Sequence, residues 1–158
     1  MKYPIDEEKK ADIAKDFLER YEHQEGVIAW QKQRLDDIIE MAIEGSPAPQ
    51  DVRVQSSKLS DPTADAAIRI ADTTDKVEAK LKEERAVLIE IYEDITAALG
   101  LLDDHEERSL LYDIYIKHTD ISCSQLAWDI HPRTAARRHR KALIDLFDVV
   151  AASVKNTA

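Results

Sequence analysis

The fold is decided by residues 62–100, which read PTADAAIRIADTTDKVEAKLKEERAVLIEIYEDITAALG. Asp61 suits an N-cap, Pro62 suits the first helical position and Gly100 suits a C-cap. Between these signals the apolar side chains follow the three-four spacing of a coiled-coil seam. The seam residues are Ile70, Thr74, Val77, Leu81, Leu88, Ile91, Ile95 and Ala98, with Glu84 interrupting them. The stretch predicts one long helix whose apolar stripe needs a covering partner.

A second amphipathic stretch, residues 6–44, can cover that stripe. Its apolar side chains also recur at helical spacing, so it predicts one long helix, or two stacked helices that break at Gly26. Trp30 is expected in its core. The spaced residues are Ile13, Phe17, Tyr21, Ile28, Leu35, Ile38 and Ala42. The stripe is covered either by this stretch of the same chain or by a second copy, and the two arrangements are compatible.

Residues 45–61, GSPAPQDVRVQSSKLSD, separate the two stretches and have turn-forming residues but no periodic apolar face. They predict a mobile connector. Residues 1–100 are thus expected to form a helical hairpin that oligomerises, and residues 101–158 a second domain.

The sequence of the second domain predicts three helices, of which the middle one is short. Asp104 followed by Glu107 resembles a capping box, and Ser122 starts another helix that closes near Ile130. A turn at His131 and Pro132 leads into the last helix. The apolar residues of the first of these helices are Leu110, Leu111, Ile114 and Tyr115. Helix, short helix, tight turn and basic helix together follow the helix-turn-helix plan.

The amino-acid composition limits the fold classes and cellular locations that are expected for this protein. Of 158 residues, 44% are hydrophobic and 34% charged, with three glycines and five prolines, which favours an all-α fold over a disordered or β-rich chain. No apolar run is long enough for a membrane span or a signal peptide, so a cytoplasmic protein with no membrane partner is expected. The single cysteine, Cys123, excludes an internal disulfide and a cysteine-based zinc site.

The charge distribution is the main functional clue. The chain carries a formal charge of -10, yet residues 119–158 hold four acids and six bases. Residues 131–141 contain five basic side chains and no acid. A local cationic patch on an anionic chain is typical of a surface that meets polyanions such as nucleic acid.

Helical periodicity places these five basic residues and Thr134 within one arc of about 160°. We call them the basic face: Arg133, Thr134, Arg137, Arg138, Arg140 and Lys141. The opposite, core-facing side holds Ala135, His139, Ala142, Leu143, Leu146 and Val150. Like charges at i and i+4 repel, so an anionic partner is expected, either duplex DNA or the long anionic helices of the same molecule. His139 is expected to pack or hydrogen-bond in the core rather than bind a metal.

The segment LAWDIHPRTAARRHRKALIDL, residues 126–146, resembles the C-terminal helix-turn-helix of phage late-gene transcriptional activators of the RinA and ArpU type, which are similar to region 4 of sigma factors. The matching residues are Asp129, Ile130, His131, Arg133, Thr134, Ala135, Lys141, Leu143 and Leu146. The resemblance implies that the last helix reads promoter DNA and that RNA polymerase is a possible partner. The family has two more residues in the turn, so here either Pro132 opens the helix after His131, or Thr134 is the N-cap and Arg133 lies in the turn.

These features predict a transcription regulator that binds double-stranded DNA through the basic face and acts by recruitment, without a cofactor. No phosphate loop, nucleophile elbow or metal-binding motif is present, so an enzyme is not expected. Two alternatives are open. A phage terminase small subunit would also couple a helix-turn-helix to an oligomerising region, and a helical adaptor would bind a protein through its anionic hairpin.

Overall fold

The computed structural model describes residues 4–44, 62–121 and 131–157. These residues form helices α1 (Glu7–Glu44), α2 (Pro62–Gly100), α3 (His105–Tyr115) and α4 (Pro132–Asn156), with no strand in the described ranges. The predicted all-α class is confirmed. The predicted connector 45–61 and the short helix from Ser122 to Ile130 lie outside the described residues. None of the described helices has the length and apolar character that crossing a bilayer requires.

The described residues fall into two compact units. Unit 1 is built from the described residues of Met1–Gln24 and Leu88–Ala158, and unit 2 from those of Glu25–Val87. These units cut across the predicted boundary at residue 100, because α3 and α4 share their core with the ends of α1 and α2. The residues of that core are Ala11, Ala14, Leu18, Ile91, Ile95, Ala98, Leu99, Leu102, Leu111, Tyr115, Ala142, Leu143 and Leu146.

The seam predicted along α2 is the buried side of that helix. Val77 and Leu81 are buried in unit 2, where Ile28 of α1 is buried too. Ile91 and Ile95 are buried in unit 1, in the same cluster as residues of α1. Within each unit the same chain therefore covers the apolar stripe, which is the first of the two arrangements that the sequence allowed.

The prediction for α1 was wrong at two residues. Ile13 is 49% exposed and Trp30 is 59% exposed, with the Arg34 guanidinium 5.0 Å from the centre of the indole. Several buried positions of α1 hold small or polar residues, so the spacing of bulky apolar side chains does not identify them. The buried residues of α1 are Ala11, Ala14, Leu18, Gln24, Ile28 and Gln31. Their three-four spacing turns the side chains of Ile13 and Trp30 away from the seam.

Two glycines behave differently from the prediction. α1 continues through Gly26 without a break, and a Cβ added there would meet nothing within 4 Å. α2 ends at Gly100 as expected, but Gly100 does not have the positive φ of a glycine C-cap. Instead the Leu101 and Leu102 amides donate to the carbonyls of Ala98 and Leu99 at 3.1 Å. These tight turns satisfy the last carbonyls, and Leu102 then enters the core.

Candidate nucleic-acid interface

The start of α4 shows which residue caps the helix, His131 or Thr134. His131 is the N-cap, with an extended backbone (φ -64°, ψ 144°), and Pro132 occupies the first turn. The His131 Nδ1 accepts from the Arg133 amide at 3.2 Å, and the Ala135 amide donates to the His131 carbonyl at 3.0 Å. Arg133 is therefore helical and lies on the same surface as the other basic residues, and Thr134 is not the cap.

α4 divides into a buried and an exposed side along the predicted line. Ala135, Ala142, Leu143 and Leu146 are buried in unit 1. On the other side all five basic residues of the basic face are exposed, and Thr134 is half-buried. The apolar side holds the helix on the core, so the positions of the arginines are fixed by packing rather than by their own contacts.

Acidic residues of α3 pair with one edge of the basic face. Arg138 Nη1 lies 3.7 Å from Glu106 Oε2, and both side chains are about half exposed. Lys141 Nζ lies 3.5 Å from Glu107 Oε1 and 4.0 Å from Asp145 Oδ2. The prediction left open whether acids of the same molecule would neutralise these charges. They form ion pairs with Arg138 and Lys141, and the acids come from the first turn of α3 and from α4 itself.

The other edge of the basic face has no such partners. Within the described residues no carboxylate lies within ion-pair distance of Arg133, Arg137 or Arg140. At 100° per residue these three arginines span an arc of about 60°, next to Lys141 and on the side away from Arg138. Arg133 and Arg137 are four residues apart and repel each other, and no described acid offsets the repulsion.

Glu107 is the most perturbed carboxyl next to the interface. Burial, reinforced by a hydrogen bond and repulsion from Asp145, raises the pKa of Glu107 from 4.5 to about 7, although Lys141 acts in the opposite direction. A carboxyl that titrates near neutral pH is only partly charged there. The pairing of Lys141 therefore weakens as the pH falls below 7.

His139 lies beneath the basic face and adds no charge to it. Its Nε2 is 2.8 Å from the Tyr115 hydroxyl, and the two rings stack with their centres 5.8 Å apart. Burial, followed by repulsion from Lys15, lowers the pKa of His139, and burial raises the pKa of Tyr115 to about 12. His139 is thus a packed, hydrogen-bonded residue, as the sequence predicted, and its lowered pKa favours the neutral imidazole near neutral pH.

Glu107 was missed as a site residue. From the sequence, Glu107 was expected only as the capping-box partner of Asp104, and Asp104 is indeed the N-cap of α3, accepting from the Glu106 and Glu107 amides at 2.9 and 3.4 Å. The signal that could have found it is its spacing, because Glu107, Leu111 and Tyr115 are four residues apart and share one face of α3. That face is buried.

No group of three or more His, Cys, Asp or Glu side chains in the described ranges is arranged to hold a metal ion. Ser122, Cys123 and Asp129, singled out in the sequence, lie outside those ranges. Searches against protein-family models, curated proteins and solved structures found no match to this chain. The function is therefore inferred from the geometry of α3 and α4 and from the sequence resemblance.

Proposed function

We propose that this protein is a transcription regulator that binds double-stranded DNA through the N-terminal half of α4, in the manner of the phage late-gene activators that its sequence resembles. One observation carries the proposal. Arg133, Arg137 and Arg140 form an exposed row without described acidic partners, on a chain whose formal charge is -10. Guanidinium groups on one helix edge match the phosphates and guanine edges of a duplex groove.

The five basic residues take different parts in this proposal. Arg133, Arg137 and Arg140 contact phosphates or base edges directly, and half-buried Thr134 contacts the backbone. Arg138 contributes to DNA binding after these three arginines, because it must first leave Glu106. An ion pair as exposed as Arg138–Glu106 is weak and is easily exchanged for a contact with a phosphate. Lys141 lies against Glu107 and Asp145 and contributes least to the contact with the duplex.

The acidic residues outside the basic face favour one orientation of the bound duplex. A duplex is repelled by the anionic surfaces and attracted only by the basic face, which favours one docking orientation. Recruitment of RNA polymerase, implied by the likeness to sigma region 4, then uses a surface that the DNA leaves free. The proposed location of the protein is the cytoplasm of the bacterial host, where promoter DNA and RNA polymerase are found.

A homo-oligomer is part of the proposal. Twofold dimers read operators with two half-sites, and unit 2 exposes several large apolar side chains that a second copy can bury. These side chains are Trp30, Ile39, Met41, Ile43 and Ile68. Sedimentation equilibrium tests the stoichiometry, because a monomer or dimer fits a regulator, whereas a large ring would favour a terminase small subunit.

The direct test removes the three unpaired arginines together. The variant Arg133→Gln, Arg137→Gln, Arg140→Gln should bind a mixed-sequence duplex roughly 100-fold more weakly at low salt, because each lost phosphate contact costs up to about tenfold. Fluorescence anisotropy measures the change.

The matched control removes the same charge elsewhere. Lys76, Lys82 and Arg85 are exposed on α2 in unit 2, so their triple glutamine variant has the same net charge and should change binding by less than about threefold. Equal weakening in both variants would mean that net charge alone matters. Unchanged binding in the arginine variant, with the fold retained, would overturn the assigned interface.

A further inference from the structure

Unit 1 contains a second cationic site, away from the basic face. A surface cavity of about 340 Å³ lies between the C-terminal end of α2 and α3. Its polar lining includes His105, Arg108, Ser109, Tyr112, Asp113 and Lys117, and no residue of the basic face lines it. One water occupies about 30 Å³ in the liquid, so the cavity has room for a larger polar group.

Arg108 is the unusual residue of this cavity. It is half-buried, and its Nη2 donates to the Leu102 carbonyl at 2.7 Å. Its Nε is buried and has no acceptor within the part of the chain that the structure describes. No described carboxylate pairs with the guanidinium either, although the chain has 32 acids. Buried donors and charges are normally satisfied, so Arg108 keeps hydrogen-bonding capacity that no described residue uses.

The charges around Arg108 favour an anionic acceptor. Lys117 lines the same cavity and forms an ion pair with Asp113, with Nζ 3.7 Å from Oδ1. Asp113 is the one carboxylate of the lining. His105 is exposed and adds a further donor, and Ser109 adds a hydroxyl. Cationic groups thus outnumber acidic ones in this cavity, the reverse of the balance over the whole chain.

We propose that this cavity binds a phosphate-type oxyanion, with Arg108 as its central ligand and Lys117 as its second cation. The Arg108 guanidinium and the Lys117 ammonium can both donate charge-assisted hydrogen bonds to oxygens of one tetrahedral group, while Nη2 stays bound to the Leu102 carbonyl. The anion is either a free phosphate or phosphorylated small molecule, or a phosphate of a nucleic-acid backbone. This inference does not depend on the proposed function of α4.

Inorganic phosphate is the first probe. Titrated into the full chain at constant ionic strength, it should shift the Arg108 Nε–H resonance saturably in ¹H–¹⁵N spectra, whereas chloride should not. The resonance is assigned by its loss in Arg108→Lys. Phosphate binding, followed at the Ser109 amide, should weaken about tenfold in Arg108→Gln and stay unchanged in Arg85→Gln, a control on α2 in unit 2.

Because loss of Arg108 can also disturb the Leu102 turn, Lys117→Gln provides a second variant. Lys117 is exposed, and its loss should weaken phosphate binding about threefold without unfolding the protein. A shift in wild-type protein that neither variant reduces would overturn the proposal.

A short duplex is the second probe and distinguishes the two sources. If the Arg108 resonance moves with the duplex but not with phosphate, the site takes a backbone phosphate. If it moves with phosphate alone, the site takes a free anion, and this holds even if α4 binds no DNA. A resonance that responds to neither probe, or equally to chloride, would show that Arg108 only caps the end of α2.

Discussion

Glu107 is a buried carboxyl placed against the basic helix. Its side chain faces Lys141 at 3.5 Å and hydrogen-bonds with Asp145, so two acids of different helices share one lysine. Burial and Asp145 raise its pKa to about 7. The folded state therefore binds a proton between pH 4.5 and about 7 that the unfolded state does not bind. From this group, stability rises as the pH falls through that window, and it is lowest above pH 7.

Replacing Glu107 by glutamine should remove this pH dependence. Glu107→Gln is expected to be more stable than wild type at about pH 8, because it buries no charge, and this advantage should fall by roughly 2 kcal/mol on going to about pH 5. Urea unfolding at both pH values measures the difference. Glu106→Gln, on an exposed neighbour, is the control: it keeps Glu107, so its stability should follow pH as the wild type does. An advantage of Glu107→Gln that is equal at both pH values would disprove the assignment.

At the scale of the elements, α4 owes its start to an unusual cap. Histidine is a less common N-cap than serine or asparagine, but its Nδ1 accepts from the Arg133 amide and so anchors the turn that carries the first arginine. The cap also fixes the tautomer, because Nδ1 must keep its lone pair free. The geometry of the interface begins at this hydrogen bond.

Removing the cap should cost stability and not only binding. His131→Ala is expected to destabilise the protein by about 1 kcal/mol, whereas His131→Asn keeps an acceptor and should restore most of the loss. Urea unfolding gives the free energies. If the alanine variant were as stable as wild type, the hydrogen bond to Arg133 would not contribute to the folded state.

The helices also show what sequence patterns can and cannot predict. The strict four-three spacing of α2 predicted its buried side, because bulky apolar residues occupy nearly every seam position. The seam of α1 uses Ala11, Ala14, Gln24 and Gln31, so bulk alone misplaced Ile13 and Trp30. The contacts of α3 with Arg138 and Lys141 depend on how two helices pack, and local spacing carries no information about that.

At the scale of the whole molecule, the charge pattern connects the fold to the proposed function. The sequence predicted the basic face, and the structure divides it into a paired edge and an unpaired edge. Acids of α3 offset Arg138 and Lys141, whereas Arg133, Arg137 and Arg140 are exposed on the same helix. A protein with a formal charge of -10 is expected to bind DNA only where such a row is exposed.

The salt dependence of duplex binding tests this claim most directly. Each arginine that contacts a phosphate contributes about one unit to the slope of log K against log salt concentration. The account predicts that binding by the wild type weakens steeply with salt and that the triple glutamine variant of Arg133, Arg137 and Arg140 loses about three units of slope. A slope that is the same in both proteins, or no duplex binding by the wild type at low salt, would contradict it.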